Sequence, residues 1–243
     1  MFFDDAHAPL SLGSFVDLGE KYGFKAGEWY NPTTAMLIVK DLMASNPSLA
    51  VVVTRDGVLD ASQVRAALPA QDSDPLLHVN RGVLLLMPLR LGLHQLNPAY
   101  IAPLIAALAF PQCVGCVGGK PAHSLYFVGS QGANLIFLDP HAVRPSSARD
   151  AQAYVAPSPR VMPAAELDPS LSMGFLITSH SDFDDLCARI SLLGGAAMFD
   201  VVQSPVAPVG MDDGEDDEED DEFESCRDDA TATTSPAEDF VLI

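Results

Sequence analysis

The run Leu135-Ile-Phe-Leu-Asp139-Pro140-His141 carries an apolar segment directly into an aspartate and a histidine two positions apart. In extended backbone, side chains at i and i+2 fall on one face. Pro140 fixes its own φ and biases Asp139 toward extended geometry. A carboxylate held beside an imidazole can orient the ring and stabilise its protonated form, which is what general acid–base catalysis requires. Taken alone, the tripeptide also fits a turn cap followed by a surface histidine.

Cysteine is the other residue type with nucleophilic potential. Cys113 and Cys116 have the spacing of a redox C-x-x-C pair. They fall in a predicted strand rather than at a helix N-terminus, so they read as buried structural thiols. Three apart on a strand, they are expected to point to opposite faces. Cys187 lies on the apolar stripe of a predicted helix and reads as core. Cys226 lies among acids, whose charge should raise its pKa and blunt its reactivity. Four cysteines are too few for a disulfide framework, so all are expected as reduced thiols. They do not form a metal site, and neither metal nor cofactor is expected.

Several elements must position these groups. Asn31-Pro32 supplies an N-cap and a first-turn proline, with Ala35, Met36, Val39, Leu42 and Met43 following at helical spacing. Leu49–Val53 reads as a strand, Ser62–Leu68 as a short helix, and Val83–Met87 as a strand buried on both faces. Pro69–Asn80 reads as a loop. Asn97-Pro98 opens a helix toward Phe110 that Pro103 either kinks or delays. Three short strands follow: Cys113–Val117, Leu125–Val128 and Leu135–Leu138. The last two are joined by a turn at Gly129-Ser130-Gln131-Gly132. Ser179–Leu193 is an amphipathic helix with Phe183, Leu186, Cys187, Ile190 and Leu193 on one stripe, and Met198–Val202 a final strand. The predicted fold class is α/β (α+β), a mixed central sheet flanked by helices.

Charge divides the chain. The net charge of -20 is concentrated after Met211, where fifteen acids stand against one arginine. Neither half presents the basic face that nucleic-acid binding needs. The N-terminus, MFFDDAHAPL, lacks the features of a secretory signal, so a cytoplasmic location is expected. Between Arg90 and Lys120 no residue is charged, but the prolines break that stretch into a helix and a strand rather than a membrane span. The expected domains are 1–203, globular, and 204–243, a disordered acidic tail.

Gly27-Glu-Trp-Tyr-Asn-Pro32, Pro88-Leu-Arg-Leu-Gly-Leu93, Asn97-Pro-Ala-Tyr100, Pro111-Gln112, Gly118-Gly-Lys-Pro121, Leu125-Tyr-Phe-Val-Gly129, the Asp139–His141 run, Ala165-Glu-Leu-Asp-Pro-Ser170, Ser191-Leu-Leu-Gly-Gly195 and Met198-Phe199 occur in that order. As a set they resemble the autophagins, cysteine proteases with a papain-like fold that act on ubiquitin-like autophagy modifiers. The resemblance implies that residues 1–203 are part of a papain-like domain, with Asp139 and His141 as the acid and base of a triad. It implies that Trp29 and Gly119-Lys120-Pro121 gate a substrate groove. The family's nucleophile lies in a Gly-Trp-Gly-Cys context that this sequence does not contain, so this chain alone is expected to be inactive. Phe240 and Ile243, preceded by acids, resemble a docking motif for a modifier of the GABARAP type, binding by β-augmentation. The implied partner is that modifier, free or lipid-conjugated, processed and delipidated by the complete protease, with the chain itself a monomer. The alternative is a non-catalytic module that binds the modifier without cutting it.

Overall fold

Local sequence explains where the helices begin. In the computed structural model, which describes residues 8–69, 81–120, 123–141, 160–194 and 196–203, helix α1 spans Leu12–Lys21 and α2 spans Pro32–Leu42. The Asn31 side chain accepts a hydrogen bond from the Thr34 amide, satisfying one of the four amides that a helix start leaves unpaired. The expected stripe of α2 is corrected at one position: Ile38, with Met36, is its buried residue.

Strand β1 (Leu49–Val53) matches the expected boundaries, and β2 (Val58–Asp60) leads into α3 (Ala61–Ala67), capped by Asp60. Strand β3 runs from Gly82 to Arg90, longer than its apolar centre. Pro98–Tyr100 forms a single 3₁₀ turn and α4 starts at Ile101, ending at Leu108. Pro103 therefore sits in the first turn, where its missing amide costs no hydrogen bond. Strands β4 (Cys113–Lys120), β5 (His123–Gln131), β6 (Asn134–Leu138), β7 (Arg160–Pro163) and β8 (Ser170–Ile177) follow, then α5 (His180–Leu192) and β9 (Asp200–Val202).

Seven strands form one sheet in the order β1-β3-β8-β4-β5-β6-β7; β1 and β3 are parallel and every other neighbouring pair is antiparallel. Strands β2 and β9 form a separate parallel pair. The mixed sheet flanked by helices is thus the observed architecture. Strand β8 lies inside it between β3 and β4, and its Leu171, Met173, Phe175 and Ile177 are fully buried. Burying each such side chain contributes roughly 1.5–3 kcal/mol. Phe183, Leu186 and Ile190 of α5 are buried in the same core.

Three expectations need correction. The β5–β6 turn is Gly132-Ala133, because the ladder continues to the Gln131–Asn134 pair and Gly129 lies inside β5 at a register shift. The final strand begins at Asp200, while Met198 and Phe199 pack into the core before it. Cys113 and Cys116 share a face rather than opposing each other. They pair with Phe175 and Met173, two positions apart on β8, because a bulge at Gly115 inserts one residue. Gly115 has φ 131°, and a Cβ there would lie 2.7 Å from the Phe127 carbonyl oxygen, so glycine is required.

The charge-free stretch resolves into α4 and β4 with Pro111 between them. Among the described residues no helix is long and apolar enough to cross a membrane. The tail, 204–243, and most of the Pro69–Asn80 loop lie outside the described residues.

Candidate active site

Strands β5 and β6 are adjacent and antiparallel, so the start of β5 meets the segment that follows β6. His123 opens β5, while Asp139 and His141 follow Leu138. Asp139 Oδ1 accepts from the His141 backbone amide at 3.0 Å and lies 2.9 Å from His141 Nδ1. An ionised carboxylate only accepts, so Nδ1 carries the shared proton and Nε2 is left as the free basic nitrogen. Asp139 and His141 are brought together, but the expectation of extended backbone is corrected: Pro140 and His141 form a turn after β6, and the Asp139 carboxylate caps it by accepting the His141 amide. Asp139 is 13% exposed and His141 41%, so the carboxylate is sheltered while the ring meets solvent.

Two further cations or potential cations address the same carboxylate. Arg160 Nη1 of β7 donates to Asp139 Oδ2 at 2.6 Å, and His123 Nε2 lies 3.9 Å from it. Burial pushes the Asp139 carboxyl upward, but the hydrogen bonds from the His141 ring and amide and the neighbouring imidazoles outweigh it, leaving its pKa lowered. The His123 and His141 rings stack with centroids 4.1 Å apart and planes 13° from parallel. Sequence reasoning did not single out His123 or Arg160. Each becomes visible only once the β5–β6–β7 order is known, since both are distant from Asp139 along the chain.

Trp29, 52% exposed, lines a cleft of about 240 Å³ with Met36 of α2, Val117, Gly119 and Lys120 of β4, Ser124 of β5, and Asp168. Asp139 and His141 are not among its lining residues. The two places are joined through the β4–β5 ladder, in which Lys120 pairs with His123. Gly119 is held by a hydrogen bond to its carbonyl from the Asp168 amide at 2.7 Å. A Cβ at Gly119 would lie 2.0 Å from the His123 carbonyl oxygen, so this close approach of strands excludes any other residue. Lys120 Nζ is paired with Glu166 at 2.6 Å. Pro121, Phe240 and Ile243 lie outside the described residues.

None of the described cysteines has the surroundings of a nucleophile. Burial raises the thiol pKa of Cys113, Cys116 and Cys187 alike, the opposite of the shift that generates a thiolate. Gln112, which opens one of the resembling motifs, is structural. Its amide donates to Asp182 and Asp185 of α5 at 2.8 Å each, tying the start of β4 to that helix. Among the described residues, one group of three could hold a metal: His123, Asp139 and His141.

A carboxylate–imidazole pair on a mixed sheet, near a cleft lined by an exposed tryptophan, has the residue types of an acid–base site, and comparisons with known proteins give the family. The family model of the Peptidase C54 catalytic domain matches residues 1–189. The chain is 33% identical to cysteine protease ATG4B of Gallus gallus, over 83% of this chain and 61% of that protein. It is 36% identical to cysteine protease ATG4D of Xenopus laevis, over 78% of this chain and 42% of that protein. With cysteine protease ATG4A of Mus musculus the identity is 32%, over 83% and 59%. The chain belongs to the Peptidase C54 family, the autophagins, and is by family a cysteine protease. It spans about 60% of the length of the ATG4A and ATG4B proteins it matches.

Proposed function

We propose that Asp139 and His141 are the acid–base pair of an autophagy thiol protease whose attacking sulfur is carried by a segment outside residues 1–243. The observation that carries this reading is the 2.9 Å approach of His141 Nδ1 to Asp139 Oδ1. It fixes the tautomer whose Nε2 can take a thiol proton and later return it to the leaving amine. Arg160 holds the other carboxylate oxygen in place by donating to Asp139 Oδ2. The substrate is a ubiquitin-like autophagy modifier. The complete enzyme trims its C-terminus and, by the same acyl-transfer chemistry, releases it from a lipid conjugate.

Trp29 and the Gly119-Lys120-Pro121 segment gate the approach of the substrate's C-terminal tail. The cleft between α2 and β4 supports that role, since a slender extended peptide suits a groove floored by glycine. Phe240 and Ile243 dock the modifier. Residues 1–203 are the protease domain and 204–243 an acidic arm. The setting is cytoplasmic.

The test compares residues 1–243 alone with the same residues joined to a family segment bearing Gly-Trp-Gly-Cys. The joined protein cleaves a modifier precursor and loses that activity on His141→Ala, while the chain alone does not cleave. Cleavage by the chain alone, lost only in Cys113→Ser, would place the nucleophile within it and overturn the reading. Modifier binding without cleavage by the joined protein would favour the alternative, a non-catalytic binding module.

A further inference from the structure

We propose that His123, Asp139 and His141 form a binding site for a first-row transition-metal ion of the Zn²⁺ class, and that the bound ion holds the acid–base pair inactive. One donor atom from each residue lies within 4.8 Å of the other two. Two imidazoles and one carboxylate are a donor set that suits Zn²⁺, Co²⁺ or Ni²⁺ and suits the hard ions Ca²⁺ and Mg²⁺ poorly. The donors come from the first residue of β5, which pairs with Lys120 of β4, and from the turn after β6, so the strands that carry them are braced by the sheet. Three protein ligands leave a fourth position for water, as in open zinc sites.

The present geometry is one short rearrangement from coordination. The two rings stack in near-parallel planes 4.1 Å apart, whereas a tetrahedral ion needs one nitrogen lone pair from each ring to converge on it. One ring must therefore turn about its side-chain bonds. His123 and His141 are 46% and 41% exposed, which gives both rings that freedom. Arg160 occupies Asp139 Oδ2 and leaves Oδ1 as the oxygen available to the ion, in exchange for the His141 bond it now makes. Coordination thus consumes the contact that orients His141.

The inhibitory consequence rests on the role proposed above for Asp139 and His141; the binding site does not. Binding is therefore measured first, on residues 1–243 without any catalytic readout. Zn²⁺ is titrated calorimetrically, and Co²⁺ is followed by its ligand-field absorption. One equivalent binds, and both His123→Ala and Asp139→Asn weaken it by at least about tenfold, the loss that even removal of an outer hydrogen-bond partner brings to a metal site. The triple variant Cys113→Ser/Cys116→Ser/Cys226→Ser binds as the parent does. His123→Gln, which keeps the size and polarity of the side chain, shows the same loss as His123→Ala. Unchanged affinity in His123→Ala and Asp139→Asn, or no binding at all, overturns the site. In the joined protease, inhibition by Zn²⁺ that persists undiminished in His123→Ala would overturn the proposed consequence while leaving the site intact.

Discussion

At the residue scale, the proposed chemistry turns on one carboxylate with three neighbours. Asp139 fixes the tautomer of His141 through Nδ1, and Arg160 fixes Asp139. Replacing Asp139 by Asn keeps the shape but lets the ring take the wrong tautomer. In the joined protease the expected loss in kcat is on the order of 10⁴ with KM little changed, as for the equivalent change in a serine-protease triad. Kinetics of cleavage on a modifier precursor measure it, and a loss confined to KM would contradict the assigned role. Gly119→Ala is expected to destabilise the fold and distort the cleft, because the new Cβ would sit against the His123 backbone rather than a yielding side chain. Its thermal midpoint should fall well below that of Gly129→Ala, whose Cβ would meet nothing within 4 Å.

The proximity of Asp139 and His141 was legible in the sequence because both lie within seven residues of one strand end, although a turn capped by Asp139, not extended backbone, brings them together. His123 and Arg160 were not, since only strand order brings them to the same carboxylate. The same contrast holds for elements. Capped helices and β-branched runs announce themselves, as Asn31-Pro32 and Leu49–Val53 do. Strand β8, Ser170–Ile177, did not, although it is an interior strand between β3 and β4. It is buried along nearly its whole length, so no alternation marks it, and Gly174 and Ser172 dilute its apolar signal. The bulge at Gly115 inverted the facing of two cysteines, a change that spacing alone does not reveal. At this scale Gln112 makes a testable junction. Its amide and Arg189 hold the Asp185 carboxyl below its ordinary range, Arg189 contributing more. A depressed folded pKa means stability that is present above about pH 4 and is lost as pH falls through the folded value. Gln112→Ala should therefore lower the urea midpoint at pH 7 and shrink the further loss between pH 5 and pH 3. An unchanged acid-side slope would show that Gln112 does not stabilise the ionised form.

For the whole molecule, helices cover the sheet along most of its width, α2 packing on β1, β3 and β8 and α4 on β4 and β5. Val117, Tyr126 and Leu138, which face one another across β4, β5 and β6, are nevertheless exposed large apolar residues. Apolar residues in such a row form a candidate contact surface. Residues 1–243 are accordingly expected to bind a hydrophobic dye, and Val117→Thr/Tyr126→Thr to reduce the signal without changing the circular dichroism spectrum. Equal dye binding by the double variant would show that the surface lies elsewhere. The family match ends at residue 189, and the chain covers about 60% of the ATG4A and ATG4B proteins. Fold and carboxylate–imidazole geometry are therefore properties of this stretch.

The measurement that bears most directly on the account is the pH profile of thiol alkylation in the joined protease, with and without His141. An imidazole paired with the attacking sulfur holds it as a thiolate well below the ordinary thiol pKa near 8.5. The account predicts rapid alkylation in mildly acidic solution that His141→Ala abolishes and Asp139→Asn slows. Alkylation with the same profile in the parent and in His141→Ala would contradict it.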